Sequence, residues 1–507
     1  MAGIFVIACV VAAIIFLLYR YITSSYDFWK IRGVKGPKPT FFFGNIKDVI
    51  LGKKSMAEFL IEVYNEYKDE PFIGVFFRNT PILVLKDPQL INDVLVKDFS
   101  YFPQRSIPVT EKAEPLSSHL LLLEAKRWRP LRHKLSPAFT SGKIKEMFHL
   151  ILECADQLEE YLNKIPENDI VEFRELAAKF TTDVIGICAL GIKMNALSDE
   201  GSEFRKVGKE AFRPSLKKAI IFHVRQSFPK LYNNFGFLFG DDGVTKFFMR
   251  SITQTMDYRK KNNIVRNDFS QIEEFFKISG KEMNITKYYK SFLELTDSLL
   301  VAQAFVFFAA GFETSSSTTS NALYELALHQ DIQNKLRKEI REEYKKNGGT
   351  IKYESIKTMP YLHAVFQETL RKYPVGLLLF RECVAPSYTF QGTNVTIPKH
   401  QEIIVPLVAL HRNSDIFPNP DIFDPERFRN DEKFEEAGYM PFGIGPRRCI
   451  GERFAVYQTK IGLMTFLRNH KVEVCEKTNI PYTFDPAVFL LAPKGGIQLK
   501  ISKVSEG

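Results

Sequence analysis

The longest uninterrupted apolar run lies at the start of the chain, where residues 2–19 carry no charge. Its length is close to the roughly 20 residues that a helix needs to cross a bilayer, so the pattern predicts a membrane anchor over residues 1–20. A cleaved secretory signal is the alternative, but it would carry basic residues before the apolar run. Here they come after it, beginning at Arg20. The positive-inside rule then predicts a lumenal N-terminus, with the rest of the chain on the cytosolic face of the endoplasmic reticulum.

Proline and glycine interrupt the pattern after the anchor, in Gly36-Pro37-Lys38-Pro39. Residues 21–40 are therefore predicted to form a basic, proline-containing hinge. No repeat or low-complexity tract divides the remainder of the chain, so residues 41–507 are predicted to form one large domain.

Beyond the hinge, the spacing of apolar positions is mostly helical. Helical stripes cover residues 56–67, 361–372 and, with proline and glycine interruptions, most of 126–347. Alternating apolar and polar positions predict strands within 71–85 and 380–406 and near the C-terminus. Helix exceeds strand, and the strands are grouped, so the pattern predicts a mainly α fold with small β-sheets (α+β).

Phenylalanine is the unusual feature of the composition. The 507 residues include 45 phenylalanines and two tryptophans, which predicts an aromatic interior able to hold bulky apolar ligands, although most of these rings must be plain core. The net charge of +10 is spread along the chain without a zinc-finger spacing or an arginine-rich arm. It therefore favours acidic partners or anionic membrane surfaces over nucleic acid. The six cysteines are scattered, which favours a reducing compartment.

Cys449 is the strongest candidate for chemistry. Its neighbours read Pro441-Phe442-Gly443-Ile444-Gly445-Pro446-Arg447-Arg448-Cys449-Ile450-Gly451. A helix pattern comes next, and its positive end is expected to lower the pKa of the thiol. Gly443 and Gly445 permit the tight backbone that lets N–H groups reach the sulfur, and Phe442 can shield it from water. The arrangement suits a thiolate held as an iron ligand; the alternative is an ordinary buried cysteine in a loop.

The helical pattern over residues 298–324 is the longest in the domain and is apolar over its first half, so it is predicted to run through the core. It contains the segment Ala310-Gly311-Phe312-Glu313-Thr314-Ser315. A glycine in mid-helix costs about 1 kcal/mol relative to alanine, and an acid beside a threonine is hard to bury. We therefore expect something to sit against this segment; a cap or kink in an ordinary helix is the alternative.

Helical spacing puts Phe307, Ala310 and Thr314 on one face, with Val306 at its edge. That face is predicted to border the site. Gln303 falls on the same face one turn earlier, where its amide is expected to meet a polar group of a substrate or solvent.

Together these segments resemble the cytochrome P450 family of heme-thiolate monooxygenases. The cysteine loop fills every fixed position of the family pattern Phe-x-x-Gly-x-Arg-x-Cys-x-Gly, which ends at Gly451. The resemblance covers essentially the whole chain and is closest to insect microsomal forms that metabolise xenobiotics. It implies heme b (iron protoporphyrin IX) as cofactor, Cys449 as the axial ligand of the iron, and Arg447 paired with a heme propionate.

The resemblance also gives roles to the core helix. Thr314 is expected to orient a hydroxyl toward bound oxygen, and Glu313 is expected to relay protons from solvent. Ala310 and Gly311 are expected to keep the helix close to the heme plane without steric conflict.

Two further sets of charged residues match family motifs. Glu368 and Arg371 lie three residues apart on one helix and resemble the family's Glu-x-x-Arg, whose third member is here Arg427. These three are expected to hold the heme-binding core together rather than to act in catalysis. The remaining propionate contacts are expected from Trp128, Arg132, Arg381 and Arg105. For the last two, a solvated surface arginine is the alternative.

No flavin or nicotinamide motif is present in the sequence, so electrons are expected from another protein. The resemblance implies NADPH-cytochrome P450 reductase, and it admits cytochrome b5 as a second donor. The candidate docking patch consists of basic residues near the heme-contacting segments: Lys126, Arg127, Arg129, Lys134 and Arg448.

The activity implied is insertion of one atom of O2 into lipophilic small molecules, by hydroxylation, epoxidation or dealkylation, in detoxification of xenobiotics or plant toxins. Oxidation of an endogenous lipid, terpenoid or hormone is one alternative. A reductase-independent heme isomerase or a ligand-binding heme protein is another, but the retained Thr314 and Glu313 favour the monooxygenase. The substrate pocket is expected to include Val306, Phe307, Phe308, Leu377 and Phe489.

Overall fold

The computed structural model describes residues 2–239, 243–262, 296–429, 434, 436–488 and 490–504. Its α-helices are, in chain order, α1 (Ala2–Thr23), α2 (Phe28–Ile31), α3 (Lys47–Ile50), α4 (Met56–Glu66), α5 (Pro88–Asn92), α6 (Ala125–Leu135), α7 (Ser141–Lys164), α8 (Phe173–Ile185), α9 (Glu203–Phe212), α10 (Leu216–Ser227), α11 (Pro229–Phe235), α12 (Gly243–Asn262), α13 (Asp297–Leu328), α14 (Gln330–Lys346), α15 (Pro360–Lys372), α16 (Leu407–Leu410) and α17 (Glu452–Arg468). Its strands are β1 (Phe72–Phe77), β2 (Thr80–Leu85), β3 (Ile170–Glu172), β4 (Leu379–Glu382), β5 (Ser387–Thr389), β6 (Thr396–Pro398), β7 (Glu402–Val405), β8 (His470–Glu473) and β9 (Gln498–Lys503).

The predicted core helix is α13, the longest helix in the described part of the chain. It begins where the side chain of Thr296 accepts the N–H of Leu299 at 3.1 Å, which satisfies one of the amides that a helix start leaves free. Helices α8, α12 and α17 pack around it, and most of its side chains are buried. The apolar faces of these helices therefore pack against one another, as the helical spacing predicted.

The strands form small sheets beside this helical body. The largest has the order β1-β2-β7-β4, in which β2 and β7 are parallel and the other pairs are antiparallel. A second sheet has the order β3-β9-β8, and β5 pairs with β6. The mainly α fold with small sheets that the sequence predicted is confirmed. The predicted run of strand over 380–406 is divided into four short strands.

Two helices in the described ranges are long and apolar enough to cross a membrane, the segment Gly3–Thr23 of α1 and the whole of α13. Their surroundings differ, because α13 lies in the core and none of the apolar window of α1 is buried. Helix α1 extends three residues beyond the predicted anchor.

The segment after α1, part of which was predicted to be a hinge, packs closely on β1. The indole N–H of Trp29 donates to the carbonyl of Val75 at 3.1 Å, and Asn45 accepts the N–H of Phe76 at 2.7 Å. A Cβ added at Gly36 would lie 1.9 Å from the carbonyl oxygen of Gly74, so the backbones of hinge and strand are in direct contact.

Candidate active site

The segment around Cys449 is a tight loop that connects to the start of α17. Gly443 and Gly445 both have φ +71°, a conformation that side chains with a Cβ rarely adopt. A Cβ at Gly445 would also lie 2.1 Å from the carbonyl oxygen of Leu95. The N–H of Cys449 donates to the carbonyl of Phe442 at 2.9 Å and closes the loop. The predicted need for glycine at 443 and 445 therefore has a geometric cause at each position.

Two further residues of the loop pattern, Gly451 and Phe442, have different surroundings. Gly451 is the N-cap of α17 with φ −91°, and a Cβ there would lie 3.9 Å from its nearest neighbour, Phe139. The Phe442 ring stacks on that of Phe366, with 6.5 Å between centroids.

The thiol of Cys449 is accessible although protein surrounds it, so it lies on the wall of an internal space. Burial raises the pKa of the thiol, and this effect exceeds the opposing influence of the Gly451 amide, Arg132 and Arg105. The predicted lowering by the helix start is therefore outweighed by loss of hydration. Among the described residues no cluster of three or more His, Cys, Asp or Glu side chains is suited to a metal ion.

The Ala310 segment of α13 packs against α17, the helix that follows this loop. The side-chain amide of Gln458, on α17, donates to the carbonyl of Gly311 at 3.3 Å. Ala310 is exposed although α13 is a core helix, so it too faces an internal space. The Thr314 hydroxyl, one turn further on, donates to the carbonyl of Ala310 at 2.6 Å. The face predicted from helical spacing therefore includes the exposed part of this helix.

Gly311 is small for a reason that the sequence did not indicate. A Cβ built there would lie 2.4 Å from Cδ1 of Ile185, on α8. The position is therefore constrained by the packing of α8 against α13, in addition to any contact with a cofactor.

Glu313 is buried and forms an ion pair with Arg174, at the start of α8. The Arg174 side chain is 29% exposed, so the pair links a buried carboxylate to the protein surface. Sequence reasoning missed Arg174, because it lies 139 positions away with no motif around it.

Four arginines predicted to contact propionates come together beside Cys449, and the structure brings them close enough to influence one another. Burial, with repulsion among them, lowers the pKa of Arg105 to about 10, of Arg381 to about 9 and of Arg447 to about 8. Burial also lowers the pKa of Arg132. The Nε of Arg381 is buried without a hydrogen-bond partner. Enclosed guanidinium groups need anions, and two propionates of a heme fit this donor set.

Arg447 differs from its predicted role in one respect. Its Nε donates to Pro103 O at 3.1 Å and its Nη2 to Leu123 O at 2.9 Å, while Nη1 lies 3.4 Å from Leu120 O. Its guanidinium also lies 4.1 Å from the centroid of the Trp128 ring. Several of its donors are thus engaged with backbone carbonyls, which leaves fewer for the predicted bidentate pair with a propionate.

The predicted structural triad is assembled. Glu368 and Arg371 are fully buried and joined by two hydrogen bonds of 2.7 Å, and Nε of Arg427 lies 3.6 Å from Glu368. The N–H of Asp424 donates to the same carboxylate at 2.9 Å. The network joins α15 to the Pro425–Phe428 turn, a 3-10 helix.

The predicted pocket residues have varied surroundings. Val306 is buried on α13, and Phe307 packs edge-on against Phe139 at 5.2 Å. Phe308 is almost fully buried in a group of rings that also includes Phe204, Phe248 and Phe312. Leu377 is buried, with a backbone carbonyl that accepts from Val408 at 3.1 Å. Phe489 lies outside the described residues. Contact of these residues with substrate stays a prediction.

Comparison with known proteins agrees with this geometry. The family model described as Cytochrome P450 matches residues 34–501. The chain is 36% identical over 506 residues to "Probable cytochrome P450 6a21" of Drosophila melanogaster, covering 99% of each chain. It is 36% identical over 495 residues to "Cytochrome P450 6A1" of Musca domestica, covering 96% of each. It is 37% identical over 508 residues to "Cytochrome P450 6k1" of Blattella germanica, covering 97% of this chain and 96% of that protein.

Proposed function

The chain belongs to the cytochrome P450 family of heme-dependent monooxygenases, and from that premise we propose that it oxidises lipophilic xenobiotics at a membrane surface, with electrons from NADPH-cytochrome P450 reductase. The observation that carries the proposal is the position of Cys449. Cys449 is accessible although protein surrounds it, and four enclosed arginines lie nearby. The thiol would hold the metal of a heme, and the arginines would hold its propionates.

Heme, when bound through Cys449, supplies the activation of molecular oxygen. The chain's own residues then handle protons. The hydroxyl of Thr314 holds its proton on Ala310 O and can turn it toward the cavity by rotation about the Cβ–O bond. Glu313 lies next along the helix, and its ion pair with the part-exposed Arg174 gives the carboxylate a connection to solvent. We propose that Glu313 and Arg174 together return protons from solvent toward Thr314.

The substrate class is inferred from the apolar lining around α13. Phe307 and Val306 precede the exposed Ala310 by one helical turn, and Phe308 belongs to a neighbouring group of aromatic rings. Aromatic walls bury large apolar areas and favour planar or bulky lipophilic compounds. The pocket is proposed to consist of Val306, Phe307, Phe308, Leu377 and Phe489.

The proposed reductase contact is on the side of α6. Arg127 pairs with Glu111 at 2.9 Å, and Arg448 forms two bonds of 2.6 and 2.7 Å with Glu452. These carboxylates offset part of the charge of the predicted patch. We propose that the exposed Arg129 takes part in steering an acidic partner. Cytochrome b5 is proposed as a second donor at the same surface.

Attachment to the membrane of the endoplasmic reticulum is proposed through α1, whose apolar surface is exposed. A second apolar surface lies on α10, α11 and the turn after α11. Its exposed large side chains are Leu216, Ile220, Phe222, Phe228, Leu231, Phe235, Phe237, Leu238 and Phe239. An exposed apolar surface of this size favours contact with lipid.

Orientation is tested by Asn394, an exposed residue that begins the N-glycosylation sequon Asn394-Val395-Thr396. If the domain is cytosolic, this asparagine receives no glycan in cells. A shift in gel mobility on glycosidase treatment that is lost in Asn394→Gln would place the domain in the lumen.

The activity is tested by expressing the full chain in membranes with and without the reductase. A panel of lipophilic compounds is then scored for NADPH-dependent loss, with Cys449→Ser as the inactive control. We expect conversion only with NADPH, reductase and Cys449 together. Conversion of a hydroperoxide without NADPH would favour the isomerase alternative. Turnover confined to an endogenous lipid, terpenoid or hormone would favour the alternative in which the enzyme oxidises an endogenous compound.

A further inference from the structure

Gln303 is fully buried on α13 and uses both ends of its amide. Its Oε1 accepts the N–H of Leu120 at 2.8 Å. Its Nε2 donates to Ser118 O at 3.0 Å and to Leu299 O of its own helix at 2.9 Å. The sequence led us to expect that this amide meets a polar group of a substrate or solvent. In the structure it instead binds the backbone of a distant segment.

That segment, residues 118–123, is held from its other side by arginines. Arg447 donates to Leu123 O at 2.9 Å and lies 3.4 Å from Leu120 O. Arg105 donates to Leu121 O at 2.7 Å. Both arginines belong to the cluster beside Cys449. Residues 118–123 thus span from the core helix to the arginines that we assign to the cofactor.

The segment has little regular structure of its own. It forms no helix or strand, and its internal backbone bonds are those from Leu122 and Leu123 to the carbonyl of His119. Four of its six side chains, those of Ser118, His119, Leu120 and Leu123, are buried, while Leu121 is 48% exposed. A segment without regular structure takes its position from the packing of its buried side chains and from the side chains that bind its backbone.

We propose that Gln303 is a positioning residue for the oxygenation reaction, because its amide holds residues 118–123 against α13 as one wall of the substrate cavity. The inference rests on the proposed function only in treating the space beside α13 as the substrate cavity. Loss of the amide frees the segment from α13 while Arg447 and Arg105 still hold its far side. Small ligands then enter more freely, substrate is held less firmly, and more of the NADPH consumed gives no product.

The test replaces Gln303 by methionine, which has nearly the same length but cannot bond to either backbone group. The matched control is Gln333→Met. Gln333 is also fully buried, and its amide donates at 2.8 Å to Leu326 O near the end of α13 and to Val472 O of β8. Both variants lose a buried amide, but only one loses contact with residues 118–123.

Three measurements are made on the heme-loaded full chain in lipid nanodiscs. Hydrogen exchange of residues 118–123, without substrate, is expected to become roughly tenfold faster in Gln303→Met and to stay unchanged in Gln333→Met. The association rate of 4-phenylimidazole, followed by its absorbance change on binding iron, is expected to rise several-fold in Gln303→Met alone. The product formed per NADPH, with 7-ethoxycoumarin as probe, is expected to fall in Gln303→Met alone.

Unchanged exchange in Gln303→Met, or equal changes in both variants, would overturn the proposal. If Gln303→Met does not fold, Gln303→Glu is the second variant, because it keeps an acceptor for Leu120 but loses the donor to Ser118. It is expected to accelerate exchange of the segment less than a full loss of bonding does, and no acceleration at all would equally overturn the proposal. Failure of the parent protein to oxidise 7-ethoxycoumarin would count against the proposed substrate class. The hydrogen-exchange and 4-phenylimidazole measurements would still test the role of Gln303.

Discussion

Gly311 offers a quantitative test of the packing between α8 and α13. A Cβ at this position would lie 2.4 Å from Cδ1, 2.6 Å from Cγ1 and 3.3 Å from Cβ of Ile185. Carbon atoms in favourable contact are about 3.5–4.0 Å apart, so a new rotamer of Ile185 relieves the first two contacts and not the third. Overpacking of this kind costs about 1–3 kcal/mol. Replacing glycine by alanine in a helix returns about 1 kcal/mol, so Gly311→Ala is expected to destabilise the fold by about 0–2 kcal/mol.

The informative quantity is the coupling between the two positions. Ile185 is almost fully buried, so Ile185→Ala alone is expected to cost about 2–5 kcal/mol through the cavity it leaves. In the double variant the added methyl group of residue 311 occupies part of that cavity and no longer overlaps Ile185. The double variant is therefore expected to be at least about 1 kcal/mol more stable than the sum of the single effects predicts.

Urea unfolding of the detergent-solubilised chain, followed by circular dichroism at 222 nm, measures the four free energies. Gly142→Ala is the control, because no atom lies within 4 Å of a Cβ built there and the residue is on α7. It is expected to be neutral or slightly stabilising. Additive effects of Gly311→Ala and Ile185→Ala would refute the steric explanation of the glycine.

Three further predictions concern the site directly. Thr314→Ala is expected to keep the absorbance band near 450 nm of the reduced carbon monoxide complex but to lower the product formed per NADPH at least ~tenfold, with peroxide formed instead. Thr314→Ser, which keeps the hydroxyl, is the control. An unchanged product yield per NADPH in the alanine variant would contradict the proton-relay role. Glu368→Gln leaves a buried arginine without its counter-charge and is expected to cost about 3–5 kcal/mol, measured as loss of folded, heme-loaded protein. Glu426→Gln, which removes surface ion pairs with Lys335 and Arg429, should cost at most about 1 kcal/mol. Equal losses in the two variants would refute the structural role of Glu368. Gly445→Ala is expected to abolish the 450 nm band, because its φ is positive and a carbonyl lies 2.1 Å from the new Cβ, whereas Gly451→Ala should retain it; the reverse order would show that the loop geometry is wrong.

The parts of the site that were predictable from sequence are those whose partners are close in the chain. The loop from Pro441 to Gly451 brings its glycines and Cys449 together through local backbone geometry alone. Glu368 and Arg371 meet because residues three apart share one side of a helix. The exposed Ala310 lies on the face of α13 that helical spacing predicts. In each case the number of residues between the partners, within one loop or one helix, determines how their side chains are placed.

The contacts that the sequence did not predict join segments far apart in the chain. Arg174 is one charged residue among many on amphipathic helices, and no pattern around it marks a partner for Glu313. Gln303 was placed on the correct face, yet whether its amide meets ligand or backbone depends on the course of residues 118–123, which carry no periodic signal. The pKa of Cys449 was predicted in the wrong direction because a helix start can be seen in a sequence, whereas the extent of burial cannot.

The arginine cluster connects these two classes of contact. Arg447 belongs to the local cysteine loop, yet it binds backbone carbonyls at Pro103 and Leu123 and packs on Trp128. Residues 118–123 are therefore bound by the side chain two positions before Cys449 and, through Gln303, by the helix that carries Thr314. Residues 118–123 therefore connect the Cys449 loop to α13. We expect substitution of either Arg447 or Gln303 to change hydrogen exchange in 118–123, whereas substitutions in the β5–β6 hairpin should not. The structure around Cys449 thus depends both on contacts within the loop 441–451 and on the long-range contacts that Arg447 and Gln303 make with residues 118–123.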